Sequence, residues 1–552
     1  MGVRQSLVRM LGGSMPPTAS PLQERREPRA LTGWPGQAYD AADIYGQRMQ
    51  GWMPPLFSAD TERSPYRNRI VSRVRDLVRN DGWASGAVTR VLDNAVGVML
   101  RPVSKPDYRY LAHLSGNSAF DAQWAHEFAR AVDSYWRAWA DDPGRYNDAE
   151  RMLTFAQQMH LGFRHLVVDG DALAYLPWLE ENIGLGRARY ATALQIIDPD
   201  RLSNPQNQYD LKNMRNGVEI TDAGVPIAYH IRRAHQADWY NMSETVIWDR
   251  IDRETSWGRP QIVHFFEHHR GGQHIGGTGM LTPVLQRLKM LIKYDGTELD
   301  AAIVNAIFGA YIESPYDHDM TAEAMEGGDN SLGAYQEGRA AFHEQRNISL
   351  QGSRLPILFP GEKVNTVSAA RPAGNFREFE RAVLNNVASG AGMAPMQVSN
   401  DWSDVNYSSA RGALLEAWKT LKRRRDDFSI GFASPIRIAV LEEIMEADDL
   451  PLPRNAPPFL AARHAYARCR WLGPGRGWID PVAEREGAIL GMQGGISTLE
   501  DECAESEGRD WEETLDQREV EQKAFDDRGL EQPEWLGSRN QYPGYIPPKE
   551  DA

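Results

Sequence analysis

The chain has 552 residues, 41% of them hydrophobic and 25% charged, and a formal net charge of −15 from 61 basic and 76 acidic residues. That composition excludes a mostly disordered chain, and at about 100–200 residues per domain the length predicts roughly three or four domains or one large body with insertions. No stretch approaches the ~20 apolar residues of a membrane span. The first residues lack the apolar run of a signal peptide, and two cysteines, Cys469 and Cys503, are too few for a disulfide framework or a Cys-rich zinc site. The expectation is a soluble protein with no membrane partner.

The charge is unevenly placed. Residues 500–552 hold 17 acidic and 6 basic side chains, a net of −11, whereas residues 1–100 hold 13 basic and 9 acidic, a net of +4. A body that grips nucleic acid by charge attraction is basic. If this chain meets DNA, it does so without a tight electrostatic grip.

Residues 1–60 carry Pro16, Pro17, Pro21, Pro28, Pro35, Pro54 and Pro55 and read as a flexible arm, or as an extended one that orders against a neighbouring subunit. Ser64-Pro65 reads as a helix start, followed by Ile70, Val74, Leu77 and Val78 at helical spacing. Arg67, Arg69, Arg73, Arg75, Arg79 and Arg90 are assigned to its solvated face, some of them free to touch a partner. Asp81-Gly82 interrupts before a second helix over 84–96. Helices follow over 120–139 and 152–168, then a turn at Asp169-Gly170-Asp171 and strands over 172–178 and 194–197. Residues 217–231 read as a hairpin turning at Thr221–Gly224. Helices first and antiparallel strands after predict an α+β fold, predominantly helical.

Thr282-Pro283 starts a helix read to about residue 312, ~30 residues and about 45 Å long. Residues 313–361 are polar, with short strands near 348–350 and 355–359. Helices are expected over 375–391, 407–428 and from Ser434-Pro435 to about 445, and two acidic helical segments after Asp480-Pro481. Residues 531–552 read as a disordered acidic, Pro-rich tail.

Most catalytic signatures are missing. No Lys follows a Gly, so no phosphate loop of the GxxxxGK[ST] type exists, and HExxH and GxSxG are absent. His264 and His268, four apart with Glu267 between them and His269 and His274 nearby, could share a helix face as the site of a metal-dependent hydrolase. Their context, QIVHFFEHHRGGQHIGG, is an apolar strand running into a Gly-rich loop, which favours a structural junction. Glycines 271, 272, 276, 277 and 279 lack GxGxxG spacing and read as a loop leading into a helix. No catalytic, metal or cofactor residue is therefore assigned, and no cofactor is expected. The remaining candidates are a polar loop, Asn400, Asp401 and Trp402, and the basic run Lys419, Lys422, Arg423, Arg424 and Arg425 behind Trp418. That run is a solvated or intersubunit face, or a surface facing DNA or a partner.

Several strings, in order, point to one family: VLDNAVGVML (91–100), LQIIDPDRLSNPQN (194–207), NGVEITDAGVPIAYHI (216–231), the 262–302 segment beginning IVHFFEHH, NYSSARGALLEAWKTLKRRRD (406–426), and the 477–513 segment beginning GWIDPVAEREG. Their order and spacing over roughly residues 60–530 resembles the lambda-type portal proteins of tailed bacteriophages, with NYSSAR and WIDP carrying most of the match. The His-laden stretch 264–274, the N-terminal arm and the tail depart from the pattern.

The resemblance implies a portal architecture of wing, stem, clip and crown, assembled as a ring, usually of twelve subunits, at one capsid vertex. It implies a flexible arm at 1–63, a wing at 64–281, a stem helix at 282–312, a clip at 313–372 and a second stem helix at 373–395. A tunnel loop at 396–406, a wing-crossing helix and return at 407–480, crown helices at 481–530 and the tail would follow. The ring would be the conduit for packaging and ejecting double-stranded DNA. Its partners would be other copies of itself, the terminase motor, major capsid and scaffold proteins, and a head-tail adaptor. Its place would be the virion, after assembly in the host cytoplasm. The loop and the basic helix would be the residues nearest DNA. A neck or head-completion adaptor, another virion structural protein, or the hydrolase built on His264 and His268 are the alternatives.

Overall fold

Helix starts in this chain are marked by short side chains that accept the first free backbone N–H groups. The computed structural model describes residues 51–307, 376–403, 406–477 and 480–530, with the short pieces 311–313 and 363–365 and a few isolated positions. The chain divides into two units, Met1–Phe57 and Ser58–Ala552, and the elements below belong to the second. Ser58 caps α1 (Ala59–Arg63), which precedes α2 (Arg67–Asn80). The expected start at Ser64-Pro65 is thus displaced: Ser64 closes α1, and α2 begins at Arg67 without a side-chain cap. Asp81 accepts the Ala84 N–H and opens α3 (Gly82–Ala95), so the interruption read at Asp81-Gly82 is a helix cap.

Strand β1 (Arg101–Ser104) leads to α4 (Tyr108–Ser115), α5 (Ala122–Ala140) and α6 (Phe155–Asp169). Thr154 and Gln157 form a capping box on α6, and left-handed Gly170 ends it. Then come β2 (Ala172–Tyr175), β3 (Gln195–Ile197), β4 (Met214–Arg215), β5 (Val218–Ile220), β6 (Pro226–Arg232), β7 (Trp248–Asp252) and β8 (Ile262–Phe265). Strands β4-β5-β6-β7 form one antiparallel sheet, with the expected hairpin as β5 and β6, and β3-β2-β8 form another.

The long helix is α7 (Leu285–Ile307). It stops short of residue 312, because Tyr311–Glu313 is a strand, β9, paired antiparallel with β10 (Lys363–Asn365). The strands expected at 348–350 and 355–359, like most of the arm and all of the tail, lie outside the described residues. Next are α8 (Phe376–Ala391), α9 (Pro395–Ser399), α10 (Tyr407–Phe428) and α11 (Ser434–Ala447). A π-helical turn over Ser429–Ala433 joins α10 to α11, so they run on from one another. Such a widened turn accommodates Pro435, which has no N–H to give. The chain continues through α12 (Phe459–Tyr466) and β11 (Cys469–Leu472), which pairs with β1, to α13 (Pro481–Gln493), α14 (Leu499–Glu502) and α15 (Trp511–Arg528).

A large apolar core holds the helices together, from Val74 and Val88 through Phe128, Trp136 and Phe163 to Phe428, Phe432 and Ile444. A smaller one, built on Leu173, Val218, Tyr229, Ile231 and Ile262, backs the strands. Polar bonds tie the α10–α11 region into the strand region. Glu443 accepts the backbone N–H groups of Ala191 and Thr192 at 2.6 and 2.9 Å, and Glu442 accepts the Trp257 indole N–H at 2.8 Å.

The joint between the helical part and the sheets is ionic. Arg67, 2% exposed, donates to Asp171 through Nε and Nη2 and to the carbonyl of Pro199. His264 Nε2 lies 2.9 Å from the other carboxylate oxygen of Asp171, which also accepts the Gly276 N–H. Gly277, at φ +82°, runs so close over Arg67 that an added Cβ would lie 2.3 Å from its side chain. Two turns on, Arg75 reaches Asp169, Asp198 and Asp200 at 2.7–2.9 Å. Arg67 and Arg75 therefore do not belong to the solvated face assigned to them, whereas Arg69, Arg73 and Arg79 do.

Burial alone would raise the Asp171 pKa, but Arg67 and His264 together outweigh it and hold the carboxyl down at about 2. A carboxyl depressed in the folded state stabilises above its unfolded pKa of about 3.9, and that contribution is lost as pH falls toward the folded value. Asp171→Asn is expected to cost about 3–5 kcal/mol by leaving Arg67 buried without its counter-charge, read as a lower urea midpoint. In the parent protein this part of the stability should fade between about pH 4 and 2, and in the variant that component should be missing.

Candidate nucleic-acid interface

The residues predicted to face DNA sit on two consecutive pieces of chain. Helix α9 ends at Asn400, which adopts the left-handed conformation (φ 57°) that Asn tolerates better than most side chains, and its N–H closes on Met396. Asp401 then accepts from the Ser403 backbone and hydroxyl and pairs with Arg377 of α8 at 3.4 Å. These bonds pull its pKa down, Ser403 contributing most. Trp402 stands 45% exposed. The loop ends at Asn406, whose side chain accepts the Ser409 N–H at 2.8 Å and caps α10. The Asn of the NYSSAR string is therefore a helix cap, so the loop is pinned at both ends with an exposed indole between.

The basic run on α10 divides. Lys419 pairs with Glu416, Lys422 with Glu505 and Arg423 with Asp427, all at partly or fully exposed positions. Arg424 and Arg425 turn inward. Arg424 donates to the Ala391 carbonyl at 3.0 Å and lies 3.5 Å from Glu267. Arg425, 8% exposed, donates to the Pro474 carbonyl and lies over the Trp418 ring. Burial lowers the pKa of both. The surface available to an outside anion narrows to Lys419, Lys422 and Arg423.

The histidines are not on a helix. His264 is in β8 and bound to Asp171, and His274 holds Asp60 of α1 through Nδ1 at 2.7 Å. His268 stacks on Phe266, and burial pushes its pKa down. Among the described residues, side chains that could converge on a cation are His165, Asp169 and Asp198, and Asp198, Asp200 and His235. The Arg75 guanidinium already bonds all three of those carboxylates and supplies the positive charge there. Sequence reasoning missed Arg67 and Arg75 as anchors. The available signal was their spacing: Arg67, Val71 and Arg75 lie four apart and share one helix stripe with buried Val74 and Val78.

The family model described as "Phage portal protein, lambda family" matches residues 45–425. This chain belongs to the lambda family of phage portal proteins. It is 32% identical over 500 residues to the portal protein of Escherichia phage N15, covering 90% of this chain and 91% of that one. Portal protein B of Escherichia phage lambda is 30% identical over the same shares. A chain from the neck of an empty GTA particle, computed with C6 symmetry, is 15% identical, with 78% of this chain and 92% of that chain covered and a TM-score of 0.42. Membership of the portal family gives this chain a structural role in the virion rather than an enzymatic one. No helix among its described residues is long and apolar enough to cross a membrane.

The two halves of the basic run should separate experimentally. Arg424→Ala, which strands the Ala391 carbonyl, is expected to destabilise the portal chain by about 1–3 kcal/mol. Lys419→Ala and Arg423→Ala should stay within about 0.5 kcal/mol of the parent. Thermal denaturation of the three variants side by side is the check.

Proposed function

We propose that this portal chain assembles as a closed ring, usually of twelve copies, at one capsid vertex, and that the ring is the conduit through which double-stranded DNA is packaged and ejected. The observation carrying this reading is the exposed Trp402 loop, pinned by Asn400 and Asn406, followed by a helix whose outer face keeps Lys419, Lys422 and Arg423. A channel must let DNA slide, and each neutralised phosphate adds a salt-sensitive increment of affinity. A few cations per subunit, repeated by symmetry, suit that need better than a uniformly basic wall. The loop is then the narrow point of the channel.

The remaining parts follow. Residues 64–281 form the wing and α7 and α8 the two stem helices; the clip expected at 313–372 lies mostly outside the described residues, apart from the β9–β10 pair. Support for the stem comes from Tyr294 of α7, which packs on Phe376 and Phe379 of α8 at 5.5 and 4.9 Å between ring centroids, and from the β9–β10 pair beyond. Helix α10 crosses toward the wing, and α13–α15 form the crown. The clip offers a docking surface to the terminase motor and to the head-tail adaptor, and the wing to capsid and scaffold proteins.

Mass photometry with negative-stain microscopy tests the ring: closed particles with a central hole and a mass near twelve subunits are expected, and a monomer at every concentration would count against it. Lys419→Ser, Lys422→Ser, Arg423→Ser together should leave rings intact and lower packaged DNA several-fold. Unchanged packaging would remove these residues from the channel, and loss of rings would make them an assembly surface.

A further inference from the structure

The acidic C-terminal helices are attached in a different way from the other α-helices among the described residues. None of α13, α14 and α15 has a buried residue, and Leu515 and Val520 on α15 are 40% and 63% exposed. Charge holds them instead. Glu513 forms a two-bond pair with Arg101, at 2.6 and 3.0 Å, and meets Arg137 at 3.1 Å. Glu512 lies 3.1 Å from Arg130 and 3.0 Å from His126. Glu500 sits between Lys105 and Arg470, and Glu505 takes Lys422. Between the two sides is a cavity of about 660 Å³ lined by Lys105, Arg130, Arg137 and Cys469 and by Glu500, Glu512 and Glu513.

The segment has one firm anchor. Ser506 and Gly508 are buried, and a Cβ on Gly508, at φ +68°, would lie 2.4 Å from the Gly473 carbonyl. On either side of that anchor α14 and α15 are held by half-buried Trp511 at the start of α15 and by ion pairs at partly or fully exposed positions, and such pairs contribute about 0–1 kcal/mol each and weaken with salt.

We propose that α14 and α15 are an internal polyanion seated on a basic face, and that this face, made of Arg101, Lys105, Arg130, Arg137 and Arg470, binds the phosphates of duplex DNA when the acidic helices lift. The occupant now on the face carries the argument: carboxylates stand against each of these cations, and Arg101 grips Glu513 with the two-pronged geometry that a guanidinium also uses on phosphate. The arithmetic of charge agrees. The whole chain is at −15 and residues 500–552 carry −11, which leaves −4 for residues 1–499, so lifting the segment moves most of the net negative charge away from the face. The inference needs neither the ring nor the channel and can fail independently of them.

The test uses the full chain. Binding to a fluorescent 30-bp duplex is measured by anisotropy for the parent and for Glu500→Gln, Glu512→Gln, Glu513→Gln combined. The combined variant is expected to bind at least tenfold tighter at low salt, with log K falling against log salt at a slope of about −4.5, as five neutralised phosphates predict. Adding Arg101→Gln, Arg130→Gln and Arg137→Gln should remove the gain. Equal binding by variant and parent, or a gain that survives loss of the three arginines, overturns the proposal. So does a polyglutamate peptide that competes as strongly as unlabelled duplex, because the face would then read acidic protein. Lifting itself is read without disturbing the charges, by thiol labelling of Cys469 in a Cys503→Ser chain. The labelling rate should rise several-fold between about 0.05 and 1 M salt, where the screening length shrinks to about 3 Å. A flat rate overturns the release step.

Discussion

The buried pair between Arg67 and Asp171 is the constraint around which the rest of this fold is arranged. A guanidinium and a carboxylate, each about 2% exposed or less, are tolerated only where every remaining donor and acceptor is met. That requirement explains features that look unrelated in sequence. The turn after α6 must present Asp171, β8 must place His264 across from it, the Pro199 carbonyl must face Arg67, and the Gly276–Gly277 loop must pass within contact of both. The glycine string, read as a loop leading into a helix, is thus the packing solution to a buried ion pair. Arg75, two turns along the same helix, repeats the device with three carboxylates and more water around it.

The same ion-pair chemistry, moved to the surface, gives the opposite mechanical result. Arg67 cannot leave Asp171 without stranding a charge in a low-dielectric interior, so α2 is locked to the sheets. Glu512 and Glu513 can leave Arg130 and Arg137 and be met by water at once, so these pairs hold α15 only while no stronger or more abundant anion competes. Burial, rather than the number of pairs, separates a structural joint from a releasable one.

Much of the secondary structure was legible because caps are local. Thr154, Asp480 and Asn406 sit where their side chains accept helix N–H groups, and the hairpin over 217–231 needs only its own turn residues. The misreadings come where a local signal was overruled from a distance. Ser64-Pro65 looks like a helix start, yet Asp60, four residues earlier, is held by His274 and extends order upstream of it. Arginines on α2 looked solvated because their counter-charges lie 94 to 125 residues away in sequence, beyond any helical or strand period. The acidic C-terminal segment was legible as acidic, but its partners on β1 and α5 are 412 and 382 residues distant.

The basic run on α10 was the hardest part to read, for a reason intrinsic to helices. Residues 422–425 span little more than one turn, so four consecutive cations must point around nearly the whole circumference. On a helix with one face in the core, such a run cannot be a single patch. Arg424 and Arg425 are carried inward, where the Ala391 and Pro474 carbonyls and the Trp418 ring receive them, and Lys422 and Arg423 are carried outward. The inward pair fixes the rotation of α10 about its axis, and that rotation decides which cations remain outside. The positions of Lys419, Lys422 and Arg423 on the surface are therefore set by two arginines that no outside anion touches.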